Sequence, residues 1–242
     1  MVRGLSPGSP SALPSGEIYH STFGTRSATS PLICPSCGSS ASVLEQPYLL
    51  ERQAKVGVDD LDLVITISGL HGTGKTTVAE ILAKRLRLRH VSAGQLFRQI
   101  AGERGLSLSD MSSRASEKDE LDRLVDSCTK EEAGKGNVVI DGLLAGWIAG
   151  EDADLRFYLS ALDDVRIARI ARRDKCSFEE ARKVTLFRER LERRRFKRFY
   201  AIDIDDYSIY DLVLNTGLLS PRGNVRVLES FARAYVTEHR VR

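Results

Sequence analysis

From Leu63 onward, short apolar runs alternate with longer stretches whose apolar positions recur every three to four residues. That rhythm predicts strands of a parallel sheet covered by helices. The predicted strands are Leu63 to Ser68, Arg89 to Val91, Asn137 to Asp141, Leu155 to Leu159 and Leu212 to Asn215. Five strands suit a doubly wound, three-layer α/β domain with helices on both sheet faces. Between them, Val78, Ile81, Leu82 and Leu86 fall at helical spacing. Ser177-Phe-Glu-Glu180 reads as a capping box opening a long helix.

The first sixty residues lack this rhythm. Half of the first forty are Ser, Pro or Gly, a composition that cannot bury enough apolar surface to repay the entropy of ordering. Residues 1–60 are therefore expected to be a disordered extension, with a weak amphipathic stretch from Leu49 to Val58, and residues 61–242 the folded domain. Cys34-Pro-Ser-Cys37 has the spacing of half a zinc site but no second CxxC to complete it. Cys128 and Cys176 fall in helical contexts, where a cysteine is expected to act as a small apolar side chain, and four scattered cysteines suggest no disulfide framework. A reducing cytoplasm is the expectation.

Charge adds little: 36 basic residues against 33 acidic ones give +3, too little to point to nucleic acid or a membrane. No run reaches the roughly 18 apolar residues of a membrane helix.

The chemistry begins at Gly69-Leu70-His71-Gly72-Thr73-Gly74-Lys75-Thr76, a GxxxxGK[ST] motif that follows a predicted strand and opens a helix. Its glycines let backbone N–H groups surround phosphate oxygens, and the helix start adds a positive dipole end. Lys75 is predicted to reach the β and γ phosphates of ATP, and the Thr76 hydroxyl to ligate Mg²⁺; Thr77 completes the loop. His71 reads as loop filler. Asp141, ending the run Val138-Val-Ile-Asp141, is the expected second Mg²⁺ partner.

No [NT]KxD motif is present, which argues against a GTPase. A kinase of a small acceptor needs further cations around the transferring phosphoryl group. Residues 188–198, RERLERRRFKR, supply seven basic side chains, and Arg188 and Arg195, seven apart, share a helix face. They are the candidate catalytic arginines of a helical lid, alongside Lys75 and Asp141.

With these residues in hand, the sequence resembles the archaeal-type (type 2) cytidylate kinases, a family of P-loop nucleoside monophosphate kinases. The likeness spans nearly all of residues 63–220. It rests on GLHGTGKTT, HVSAGQLFR (90–98), GNVVIDGLLAGW (136–147), the Arg188/Arg195 segment and FYAIDIDDYSIYDLVLNT (199–216). The resemblance implies transfer of the γ-phosphate of ATP to CMP or dCMP, with Mg²⁺; a monomer is expected. It also implies that Arg98 holds the acceptor phosphate, that Ser92 lies near the base, and that Asp203, Asp205 and Asp206 follow the lid. One position departs: where the family pattern reads EGRLAGW or DGR, this chain has Leu143 in place of the arginine. A kinase of AMP, UMP or a small metabolite, or an ATP-switched nucleic-acid-binding protein, are the competing readings.

Overall fold

A computed structural model describes residues 63–239 apart from 104, 108, 109, 112 and 114–119. The expectations for residues 1–60, including the Leu49 to Val58 stretch and the Cys34/Cys37 pair, lie outside the described residues. Five strands form one parallel sheet in the order β2-β3-β1-β4-β5. They are β1 (Val64–Ser68), β2 (Arg89–Ser92), β3 (Val138–Asp141), β4 (Leu155–Ser160) and β5 (Leu212–Asn215), within a residue at each end of the sequence expectation. The described α-helices are α1 (Lys75–Leu86), α2 (Ala93–Glu103), α3 (Glu120–Gly134), α4 (Ala145–Ala149), α5 (Asp163–Asp174), α6 (Phe178–Tyr200) and α7 (Pro221–His239).

Position in the sheet explains each strand's pattern. Central β1 is buried along its whole length, because helices cover both of its faces. Its alternate side chains still divide: Ile65 and Ile67 join Val139, Leu155, Phe157 and Leu159 under α1 and α7, while Val64, Val138 and Ile140 pack toward Ala133 of α3 and Ala145 of α4. β5, at an edge, alternates half-buried and exposed residues. Each fully buried aliphatic side chain in these layers contributes about 1.5–3 kcal/mol. Thr66, buried in β1, satisfies its hydroxyl by donating to the Leu155 carbonyl at 3.3 Å.

Register then places the chemistry. Ser92, Asp141 and Ile67 lie level on adjacent strands, so β2, β3 and β1 deliver their C-terminal ends to one line beside the start of α1. α6 starts as its capping box predicts, with the Ser177 hydroxyl accepting from the Glu180 amide at 3.2 Å. α5 and α6 pack on one another through Ile167, Ile170 and Ala181. Cys128 is buried beside Ile100, Met111 and Leu124, yet it is disulfide-bonded, which corrects its reading as a plain apolar side chain. Disulfide pairing follows proximity in the fold, and separation along the chain does not reveal it. Cys176 is a free, partly buried thiol.

Candidate active site

The loop between β1 and α1 is held in a shape that only its glycines allow. Gly69 has φ of 144°, and a Cβ there would stand 2.2 Å from the Leu159 carbonyl oxygen. Gly72, at φ 79°, would bring a Cβ to 2.5 Å from the Arg166 carbonyl oxygen. The loop is thus pressed between the end of β4 and α5. Lys75 donates to the Leu70 carbonyl at 3.0 Å, turning its ammonium back over the loop. Burial draws the Lys75 pKa down to about 8, against the opposing pull of Asp141, Glu192 and Glu189.

Asp141 is the hub beside the loop. Its Oδ2 accepts from the Thr76 hydroxyl at 2.8 Å and from the Ser92 hydroxyl at 3.2 Å, and its Oδ1 lies 2.8 Å from His90 Nε2. Ser92 also accepts from the Gln95 amide at 3.3 Å, so its hydroxyl both starts α2 and fixes the carboxylate. A hydroxyl and a carboxylate 2.8 Å apart at a helix N-terminus form the hard oxygen donor pair that Mg²⁺ prefers. Among the described residues no cluster of three or more His, Cys, Asp or Glu could hold a metal by protein ligands alone.

Helices α5 and α6 reach the loop through buried charges. Arg166, only 1% exposed, donates to the His71 carbonyl at 2.8 Å and to Glu189 at 2.6 Å. The His71 ring lies 2.7 Å from Glu192, and Arg188 lies 3.4 Å from the same carboxylate. Burial alone would raise the Glu192 pKa, but His71 and then Arg188 and Arg195 overcome it and hold it at about 2. His71, expected as filler, therefore joins the loop to α6. Arg169 donates to Thr216 and to the carbonyls of Gly72 and Thr73, tying the loop to the end of β5.

These elements surround one cleft of about 960 Å³. Lys75, Thr76, Asp141, Arg98, Arg188 and Arg195 all line it. Ser92 is not in its wall; it reaches the site through Asp141. Arg188 and Arg195 share the cleft-facing side of α6 as their spacing predicts, but they differ in setting. Arg195 is buried, with Nε 2.7 Å from Asp122 Oδ2 and its guanidinium 4.9 Å from the Phe196 ring. Arg98 on α2 has its pKa lowered by burial and then by Arg173, with Arg188 adding to the effect, the mark of cations crowded around a space suited to an anion.

Sequence reasoning missed Arg169, Arg173, His90, Asp122 and Asp126. The first two belong to the α5 run RIARIARR, which reads as an ordinary charged helix until the fold turns it toward the loop. Leu143 lines the cleft and packs with Leu144, Phe196 and Ile204. The segment after α6 stays outside the cleft wall: Asp205 pairs with Arg193, Asp203 with Lys197, and Asp206 accepts from the Ser208 amide. These aspartates order a turn whose Tyr207 and Tyr210 pack on Tyr158 of β4.

Residues 64–218 match the model of the cytidylate kinase-like family. A cytidylate kinase of Staphylothermus marinus is 44% identical over 176 residues, covering 73% of this chain and 99% of that protein. A cytidylate kinase of Archaeoglobus fulgidus is 44% identical over 165 residues, covering 68% and 91%. Among solved structures, a gluconokinase from Sinorhizobium meliloti shares the fold at 13% identity, with a TM-score of 0.51 over 74% of this chain and 97% of that one. With a phosphate loop, its facing carboxylate and a ring of arginines in one cleft, and with relatives of this similarity, the chain belongs to the cytidylate kinase-like family.

Proposed function

We propose that this protein transfers the γ-phosphate of ATP to CMP or dCMP, releasing ADP and the cytidine diphosphate. The observation that carries the reading is the convergence of Lys75, Arg98, Arg173 and Arg188 on the cleft that also holds the Thr76–Asp141 pair. Cations from four elements around one space suit two phosphorylated substrates brought end to end.

The backbone N–H groups of Gly72 to Thr77 and the Lys75 ammonium hold the β and γ phosphates of ATP. Thr76 and Asp141 would hold Mg²⁺, which supplies Lewis-acid charge to the phosphate oxygens when bound. Arg98 holds the acceptor phosphate in line with the γ-phosphorus. An oxygen of that phosphate forms the new bond to phosphorus as the bond to the β-phosphate oxygen breaks, and the electron pair leaves with ADP. The acceptor is already an anion near neutral pH, so no general base is needed, and positioning with charge neutralisation carries the rate. Arg188 and Arg173 neutralise charge that builds on the equatorial oxygens. Ser92 and His90 act through Asp141 by fixing its orientation.

The basic helix commits four of its seven cations in 188–198 to the cleft or to ion pairs. Arg188 and Arg195 turn into the cleft, and Arg193 and Lys197 pair with Asp205 and Asp203. The test is ADP formation from ATP and Mg²⁺ against CMP, dCMP, UMP, AMP and GMP. CMP and dCMP are expected to give the highest kcat/KM; a purine monophosphate in first place would overturn the acceptor assignment.

A further inference from the structure

We infer that Asp126, on the cleft-facing side of α3, accepts a hydrogen bond from the exocyclic amino group of the acceptor base and so selects cytosine over uracil. This rests on the proposed reading of the cleft as a nucleoside monophosphate site. Asp122, Asp126 and Thr129 stand one helical turn apart on one face of α3, and all three line the cleft. Across from them α6 contributes Arg195, Phe196 and Tyr200. Arg195 is engaged by Asp122, while the Tyr200 hydroxyl donates to Asp126 Oδ2 at 2.5 Å. Asp126 Oδ1 accepts no hydrogen bond from a described residue.

Asp122 is already paired with Arg195, but the Asp126 carboxylate would repel an acceptor phosphate at close range, so it suits an uncharged part of the substrate. The remaining wall here is apolar, from Phe97, Val125, Ile148 and Phe196, a surface suited to a planar ring with one polar group to orient it. Cytosine offers that group an N–H donor. Uracil offers a carbonyl oxygen at the same place, and a carboxylate facing a carbonyl in a buried site leaves two acceptors without a proton between them.

Protonation sharpens the argument. Burial pushes the Asp126 pKa up to about 7, with Asp122 adding to the rise and Tyr200 and Arg195 opposing it. These are the charged or titratable groups beside it from α3 and α6; α2 contributes Arg98 to the same cleft, and Ile148 of α4 carries no charge. Above pH 7 the carboxylate can only accept; below, its proton can be donated to a carbonyl. Discrimination against uracil therefore strengthens as pH rises. The second ionisation of the acceptor phosphate is common to CMP and UMP and cancels in their ratio.

The experiment measures kcat/KM for CMP, UMP and dCMP at saturating ATP in the full chain and in Asp126→Asn. An asparagine side chain can accept or donate, so the CMP-to-UMP ratio should fall by about tenfold or more, with KM for ATP within twofold of the parent. The parent ratio should rise between pH 6 and 8, and the variant's ratio should stay flat. Tyr200→Phe, which frees the carboxylate without removing it, should lower the ratio by about threefold. An unchanged ratio in Asp126→Asn overturns the inference. So does an equal loss on CMP and UMP with dCMP spared, which would place Asp126 on a ribose hydroxyl. If Asp126→Asn does not fold, a parent ratio independent of pH together with an unaltered ratio in Tyr200→Phe overturns it. A parent that does not phosphorylate CMP sinks the proposed function itself, whereas a parent active on CMP with an unaltered ratio in the variant sinks this inference alone.

Discussion

On one side of the cleft, the proposed donor side, the seven consecutive residues His71–Thr77 bring backbone N–H groups, the Lys75 ammonium and three threonine hydroxyls; on the other, the proposed acceptor side, α2, α3, α4 and α6 each contribute isolated side chains between positions 93 and 196. The loop's shape is fixed where Gly69 and Gly72 press on the Leu159 and Arg166 carbonyls, so a side chain added at either position should damage it. The acceptor side is made of replaceable side chains on rigid helices. A single substitution there is expected to retune it without touching the loop. We propose Leu143, which lines this side where the resemblance predicts an arginine, as such a position.

The contrast can be broken most sharply at Lys75. Lys75→Ala should lower kcat by at least about a hundredfold, because a preorganised charge on the transferring phosphates is lost. Thermal unfolding should stay near that of the parent, since the variant removes a charge that burial disfavours. Activity near the parental level would show that the loop does not bind the donor phosphates.

The two α6 arginines should separate by readout. Arg195→Ala removes the buried guanidinium 2.7 Å from the Asp122 carboxylate and should lower stability measurably in a denaturant titration. Arg188→Ala should instead lower kcat by about tenfold to a hundredfold with a small change in stability and in ATP affinity. Equal stability losses in both variants would mean that Arg188, too, serves the fold.

A milder effect comes from pH. With the Lys75 pKa at about 8 in the nucleotide-free protein, the charged ammonium is lost as pH rises past that value. kcat/KM for ATP should therefore fall above about pH 8, while kcat persists to higher pH because bound phosphates stabilise the charge. The folded pKa lies below the ordinary 10.5, so the unfolded chain binds more protons between the two values and stability should rise with pH across that window. A flat kcat/KM profile from pH 7 to 10 would contradict the assignment.

The smallest change is expected at Leu143. Leu143→Arg should lower KM for CMP by up to about tenfold through a charge-assisted hydrogen bond to the acceptor phosphate, with KM for ATP unaltered. The gain is limited because Leu143 also packs with Phe196 and Ile204. A KM that rises would mean that this packing matters more than the added charge.

What the sequence made legible follows the same division. The phosphate loop, the five strands and Asp141 are contiguous signals, each carried by a run of neighbouring residues. Asp122 and Asp126 are not: on α3 they read as the polar face of an amphipathic helix, and only the arrival of α6 makes them a buried wall. Arg166 shows the same limit. In RIARIARR it is one arginine of four, yet the fold buries it and bonds it to the loop backbone, while Arg172 two turns on stays exposed. Sequence periodicity reports which face of a helix is polar, but it does not report which polar residue another element will cover.

The strand order carries a consequence for biosynthesis. Central β1 emerges first, but its neighbours are β3 and β4: Val64 pairs with Val138 and Ile65 with Leu155. The loop it leads into is closed later still, when the Thr216 hydroxyl donates to the Thr73 carbonyl at 2.8 Å. At translation rates of about 5–20 residues per second, roughly seven to thirty seconds separate synthesis of the loop from synthesis of its last clamp. Parallel pairing over such separations is also intrinsically slow. A nascent chain on the ribosome therefore carries the whole loop sequence well before the residues that clamp the loop have been made.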